Sequence, residues 1–213
     1  MLQKTIPLLA TLQRYIKENN MALLRFLKSN IYNISFLLIA GIIFFNADAK
    51  TILIKGLMST GLFNADAPSS TLTLSKSIPD NLTFNSQDGE LIRLSDNKGK
   101  VYFINFWATW CPPCRAEMPS INSLYSKIKN KEKINFIMVD VDNKIPSSVK
   151  YMKKHSFGLK VYSTESAIPE HIFSGSLPTT VIVGPKGDIV YQHIGMADYD
   201  NVEMLNFLNA LSR

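Results

Sequence analysis

The hydrophobic positions follow two different patterns along the chain. Near the N-terminus one apolar run, IYNISFLLIAGIIFF at 31–45, contains no charged residue. From residue 77 onward, apolar residues occur in short groups separated by turn-forming residues. This pattern predicts a membrane-directed N-terminal segment followed by one globular domain.

Within the globular part, predicted strands alternate with predicted helices. The β-rich run VYFINFW at 101–107 predicts a buried central strand, and residues 134–139 predict another. Turn residues at Asp88-Gly89 and at 184–187 predict two β-hairpins. Helices are predicted over Pro112 to about Asn130, over 147–155, and after the capping pattern Asp200-x-x-Glu203. The order predicts an α/β fold in which a mixed central sheet, extended by an N-terminal β-hairpin, is flanked by helices.

Charge is distributed unevenly. Five of the first 30 residues are basic and one is acidic, whereas the chain from Lys76 onward has 16 basic and 14 acidic residues, a net charge of +2. Basic residues that precede an apolar run set membrane topology, so they favour membrane attachment. The domain has no basic stripe interleaved with aromatic residues, which argues against nucleic-acid binding.

These features divide the chain into four segments. They are a basic cytoplasmic segment at 1–30, a transmembrane signal anchor or signal peptide at 31–49, a linker or juxtamembrane segment at 50–76, and the globular domain at 77–213. Both alternatives for 31–49 place the domain on the extracytoplasmic, periplasmic side of a bacterial inner membrane.

The choice between anchor and cleaved peptide stays open. The apolar core is short for a membrane span, and Ala47-Asp48-Ala49 fits a cleavage site. Ile52-Leu53-Ile54 could extend the apolar path, which favours the anchor. Translation from Met21 instead of Met1 would give ordinary signal-peptide proportions.

The two cysteines lie three residues apart, at Cys111 and Cys114. A disulfide that closes so short a loop removes little chain entropy from the unfolded state, so it would stabilise the fold only slightly. This favours a redox role for the pair over a structural one. A zinc site would need two further ligands, and the three histidines show no paired spacing. The sequence therefore predicts a redox-active pair with no metal and no cofactor.

The stretch FWATWCPPCRAEMP at 106–119 joins the predicted central strand to a helix. Cys111 falls at the helix N-terminus, where unpaired N–H groups and the helix dipole stabilise a thiolate. We therefore expect Cys111 to be the exposed nucleophile. Cys114, one turn further on and more buried, is expected to resolve the mixed disulfide.

This stretch, together with Gly99-Lys100-Val101 before it and LPTT at 177–180, resembles the thioredoxin superfamily and specifically its TlpA/ResA-like extracytoplasmic branch. The resemblance covers about 77–211 and implies a thioredoxin fold, a helix-kinking proline at Pro119 and a cis-proline at Pro178. Backbone groups of Leu177 would then be free to pair with an extended substrate. Trp110 and Pro112 are the other predicted substrate-binding residues, with simple packing beside the disulfide as the alternative for Trp110.

One position departs from thioredoxin itself. Where thioredoxin has a buried aspartate, this chain has Asn105, which cannot titrate. Glu117, three residues after Cys114, is the expected substitute as a proton shuttle, because the branch has a glutamate there. The alternative is a solvated glutamate stabilised by the helix N-terminus.

The predicted function is a protein-disulfide reductase that acts on exported proteins and receives electrons from a membrane donor. A disulfide oxidase or isomerase is less favoured, because oxidants usually carry a histidine between the cysteines and this chain has Pro112-Pro113. A thiol peroxidase would need a Pro-x-x-x-Thr-x-x-Cys pattern, which is absent. A redox-inert binding module is disfavoured by the intact cysteines.

Overall fold

A computed structural model describes residues 15, 17, 19–21, 25, 28–58, 61, 63–65, 74–79, 81–97 and 99–213. The chain separates into two compact units, residues 1–46 and 47–213. The predictions made for Met1 and for most of 1–30 lie outside the described residues.

The first unit contains helix α1, Ile31–Phe45, which has no buried residue. Its exposed side chains include Tyr32, Phe36 and Phe45. Among the described residues, no single helix is both long and apolar enough to cross a membrane; α1 meets the length and composition required only together with the next helix, across a break at Asn46.

The second unit is built on a mixed sheet of eight strands among the described residues. They are β1 (Leu74–Ser77), β2 (Thr83–Ser86), β3 (Leu91–Arg93), β4 (Val101–Trp107), β5 (Ile134–Asp140), β6 (Val161–Thr164), β7 (Thr179–Val183) and β8 (Asp188–Ile194), arranged in the order β1-β8-β7-β4-β5-β6-β2-β3. Strand β4 pairs in parallel with β5 and antiparallel with β7. The predicted central strand, the two hairpins and the mixed sheet are confirmed.

Alternate residues of β4 face opposite sides of this sheet. Phe103 and Trp107 join one buried cluster, which also receives residues from α3 (Pro112–Lys127), α4 (Ile145–Lys154) and α5 (Val202–Leu211). Ile104 and Phe106 join the other, which is covered by the β2–β3 hairpin and by the loop before β7. Asn105 has the same parity as Phe103 and Trp107, so a polar side chain points from the central strand toward α3.

The segment 50–76, expected to be a linker, contributes regular structure to this unit. Helix α2, Ala47–Met58, begins three residues before this segment and forms its first part, and strand β1 at its end pairs with β8. Between α2 and β1, Ala65 is buried and its N–H donates to the Asp198 carbonyl at 2.9 Å. The Ala65 carbonyl accepts from Asn201 Nδ2 at 3.0 Å. The compact unit therefore begins near residue 47, about thirty residues before the predicted boundary at 77.

Helix α2 packs against α3. Thr51 and Met58 are buried, and the Asp48 carboxylate accepts a hydrogen bond from the Arg115 guanidinium. Arg115 follows Cys114 in α3, so this ion pair joins the start of α2 to the helix that carries the cysteines. Ile52, Leu53 and Ile54 thus belong to a helix attached to the domain and do not continue α1 as one helix.

The start of α5 differs from the predicted capping pattern. The cap is Asn201, whose side chain accepts from the Met204 N–H at 2.8 Å. Asp200 instead accepts from Ser123 Oγ and Lys127 Nζ on α3. These bonds fasten α3 to the start of α5.

A buried disulfide at the start of helix α3

The disulfide between Cys111 and Cys114 lies where the carboxyl end of β4 leads into α3. Cys111 caps the helix, and its sulfur accepts a hydrogen bond from the Cys114 N–H at 3.3 Å. Pro112, half-buried in the first turn, suits a position where an N–H would have no helical partner. The sulfur of Cys111 therefore faces the unpaired N–H groups of a helix N-terminus, which favour a thiolate.

The two cysteines differ in access, but less than expected. Cys114 is fully buried and Cys111 retains only 3% of its surface. The expectation of an exposed Cys111 is wrong for this disulfide form, because both sulfurs belong to the buried cluster beneath α3. A substrate sulfur can reach the pair only through the small opening at Cys111.

Pro178 lies at the same end of the sheet. The Leu177–Pro178 bond is cis, as the resemblance implies. Thr179, the first residue of β7, is paired with Phe106 near the carboxyl end of β4. Pro178, which precedes Thr179, therefore lies next to the carboxyl end of β4. Pro178 is buried, whereas Leu177 is half-buried and packs against both clusters.

Trp110 is the exposed member of the motif, with 59% of its surface accessible. Its indole Nε1–H donates to Asp142 Oδ2 at 2.8 Å. The sequence alone did not indicate Asp142 as the partner of Trp110, but the order of the strands explains why the two meet. Asp142 follows β5, and neighbouring parallel strands end at the same edge of a sheet.

Glu117 is fully buried on the inner face of α3. Its Oε1 accepts from Asn105 Nδ2 at 2.8 Å, and its Oε2 accepts from the Ala197 N–H at 3.2 Å. Asn105 Nδ2 also donates to Thr180 Oγ1 at 2.9 Å, across the β4–β7 pair. The solvated position considered as an alternative is thus contradicted, since the carboxyl lies in a polar pocket inside the core.

Burial raises the pKa of Glu117 from 4.5 to about 8, and the hydrogen bonds from Asn105 and Ala197 lower it in part. A carboxyl with this pKa exchanges its proton close to neutral pH. Glu117 lies three residues after Cys114, a spacing at which side chains are neighbours on one helix face. The neutral amide of Asn105 serves this pocket as a hydrogen-bond donor.

The sequence indicated Glu117 by its spacing from Cys114, but it missed the partners of that carboxyl. Glu117 accepts from Asn105 on β4 and from the Ala197 N–H in the loop after β8, and Thr180 on β7 accepts from Asn105 in turn. Thr180 and Ala197 lie more than 60 residues from Glu117 in the chain. Among the described residues, no three His, Cys, Asp or Glu side chains are grouped closely enough to hold a metal ion.

Known proteins resemble the chain over this same region. The sequence profile of the AhpC/TSA family matches residues 67–192. The thiol-disulfide oxidoreductase ResA of Bacillus cereus is 33% identical over 131 residues, which span 58% of this chain and 71% of that protein. ResA of Bacillus subtilis is 32% identical over 111 residues, spanning 52% of this chain and 62% of that protein.

Solved structures show the same fold. A Chlorobium tepidum protein assigned as the thiol:disulfide interchange protein DsbE matches with a TM-score of 0.53 and 24% identity, over 65% of this chain and 96% of that one. A DsbF homologue from Corynebacterium diphtheriae matches with a TM-score of 0.53 and 16% identity, over 70% and 99%. The expected thioredoxin fold is confirmed. With its paired cysteines at a helix N-terminus, the chain belongs to the AhpC/TSA family of thioredoxin-like proteins and is a thiol–disulfide oxidoreductase.

Proposed function

We propose that this oxidoreductase reduces disulfide bonds of exported proteins on the extracytoplasmic side of a bacterial inner membrane. The observation that carries the proposal is the position of Cys111 as the cap of α3, where the helix N-terminus stabilises its thiolate. The two prolines between the cysteines supply no charged group that would stabilise the reduced pair further, which favours reductase chemistry over oxidase chemistry.

The reaction is two successive thiol–disulfide exchanges. The Cys111 thiolate attacks one sulfur of the substrate disulfide and releases the other as a thiolate. Cys114 then attacks Cys111 Sγ, which releases the second substrate sulfur and leaves the Cys111–Cys114 bond. Two electrons pass to the substrate, and a membrane dithiol donor restores the reduced enzyme.

Glu117 is proposed to take the proton of Cys114 in the second exchange. Its burial, its pKa near neutral pH and its position one turn along α3 support this role.

Four residues are proposed to bind the substrate. Trp110 offers exposed aromatic surface, Pro112 lies within the motif, and the backbone of Leu177 before Pro178 can pair with an extended segment. All lie at the end of the sheet where β4 ends and β7 begins. A disulfide in an extended or unfolded chain is therefore the favoured substrate class.

The direction of electron flow is tested by the reduction potential of the Cys111–Cys114 pair. We expect a value near that of thioredoxin, about −270 mV, together with reduction of insulin disulfides by dithiol-reduced enzyme. A potential near that of DsbA, about −120 mV, would contradict the reductase proposal and indicate an oxidant. Peroxide consumption is measured in parallel, because a thiol peroxidase was the other redox activity considered from the sequence; we expect none above the Cys111→Ser background.

Membrane attachment is proposed through 31–49, supported by the uncharged apolar α1 and by the basic residues before it. A reporter that works only outside the cytoplasm is expected to be active when fused after Arg213. Intact-mass measurement of membrane-extracted protein is expected to show that the N-terminus is retained. Loss of everything through Ala49 would establish a cleaved signal peptide instead. A reporter active only in the cytoplasm would contradict the topology.

A further inference from the structure

Helix α2 has two faces of different character. Asp48, Thr51 and Met58 lie on the face that packs on α3. On the other side, Ile52 is 70% exposed, Leu53 is 50% exposed and Leu57 is 47% exposed. At 100° per residue, these three side chains fall on one half of the helix, opposite the buried face.

This outward half contains no acidic or polar side chain. It comprises Ala49, Ile52, Leu53, Gly56 and Leu57, with Lys50 at one border and Asp48, which is paired with Arg115, at the other. A surface helix of a water-soluble domain normally turns its polar face outward. A continuous exposed apolar strip is typical of a helix that lies in a membrane interface or against a partner.

The chain itself indicates which of these surfaces is within reach. Only Asn46 separates α2 from α1, whose fifteen residues carry no charge. If α1 is embedded in the bilayer, α2 begins where α1 leaves it. Lys50, near one border of the strip, matches the negative charge of anionic headgroups.

We propose that α2 lies in the extracytoplasmic membrane interface, with Ile52, Leu53 and Leu57 inserted at the boundary between headgroups and acyl chains. Its opposite face holds α3, so the redox domain rests on the bilayer through a rigid helix and does not hang from a flexible tether. This inference rests on the membrane attachment in the proposed function, but membrane attachment alone does not require it.

Depth-dependent fluorescence quenching tests the position of α2. Full-length protein is reconstituted in phosphatidylcholine–phosphatidylglycerol vesicles that contain lipids brominated at shallow or deep acyl positions. Leu53→Trp is compared with wild type, which supplies the background of Trp107 and Trp110. We expect loss of the added fluorescence with shallow bromines and little loss with deep ones; Ile52→Trp should repeat the result.

Two control variants separate the possible failures. Phe36→Trp in α1 reports membrane insertion, and Leu91→Trp, exposed on β3, reports a domain surface away from lipid. If Phe36→Trp is quenched while Leu53→Trp and Ile52→Trp behave like Leu91→Trp, α2 faces water or protein and the inference is overturned, although attachment stands. If Phe36→Trp is not quenched either, membrane attachment itself fails. Quenching at Leu53→Trp that is absent at high protein density and appears only as protein is diluted into lipid would assign the strip to a second copy and would also overturn the inference.

Discussion

Replacing Cys114 by serine is expected to turn the enzyme into a trap that holds its substrates through Cys111. The first exchange needs only the Cys111 thiolate, which the start of α3 stabilises. Without the Cys114 sulfur the mixed disulfide cannot be resolved from within the protein. Turnover should stop after one equivalent, and non-reducing electrophoresis should show covalent adducts that a reductant releases.

The matched control is Cys111→Ser, which keeps one cysteine but removes the nucleophile. We expect almost no adducts, because Cys114 has no accessible surface in the structure. Faster alkylation of Cys114 than of Cys111 in the reduced wild type would reverse the assignment of nucleophile and resolving cysteine.

The second large effect is expected from Glu117→Gln. Glutamine is nearly the same size but cannot accept the proton of Cys114. Since general-base catalysis typically contributes about 10²–10⁴-fold, the resolving step should slow by about 10²-fold or more. The wild-type rate should rise with pH as Glu117 ionises near its pKa of about 8, and this inflection should be absent in Glu117→Gln. Rapid-reaction kinetics on a preformed mixed disulfide measures both quantities.

The same substitution should change how stability depends on pH. The pKa of Glu117 is raised on folding, so the folded protein binds more protons than the unfolded chain between about pH 4.5 and pH 8. Its stabilising contribution is fully present below the unfolded pKa and is lost as pH rises through the folded pKa. Urea denaturation should therefore show a decline in stability from pH 5 to pH 9 in wild type and a smaller decline in Glu117→Gln.

Glu203→Gln is the control for both measurements, because Glu203 is an exposed glutamate in the first turn of α5. It should keep the wild-type rate and the wild-type pH dependence of stability. Superimposable pH profiles for wild type and Glu117→Gln would leave Cys114 without an identified base. The buried carboxyl would then have only a structural role.

The parts of the fold that could be predicted from sequence are those whose burial is unambiguous. All seven residues of β4 are buried, so VYFINFW reads as a strand without knowledge of its neighbours. Strands β1 and β6 have four residues each, too few to show a period. Helix α2 lacked a clear helical pattern because apolar residues occur on both its packed face and its outward face.

The candidate site divides in the same way. Cys111, Cys114 and Glu117 lie within seven residues on one helix, where spacing alone determines which side chains are neighbours. The hydrogen bonds that hold Glu117 come from β4 and from a loop after β8, and their positions depend on strand order and register. The sequence around Glu117 determines neither the strand order nor the register, so the burial of this carboxyl could be found only from the structure.

The two outermost strands of the sheet have a consequence for how the protein behaves when it is crowded. Strands β1 and β3, at opposite edges among the described residues, are four and three residues long and each contains a basic residue, Lys76 and Arg93. The pairing of β1 is also interrupted by a register shift. Short, charged and irregular edges expose few backbone groups in a row that another chain could pair with. Many copies can therefore be present at high concentration without joining sheet to sheet into aggregates.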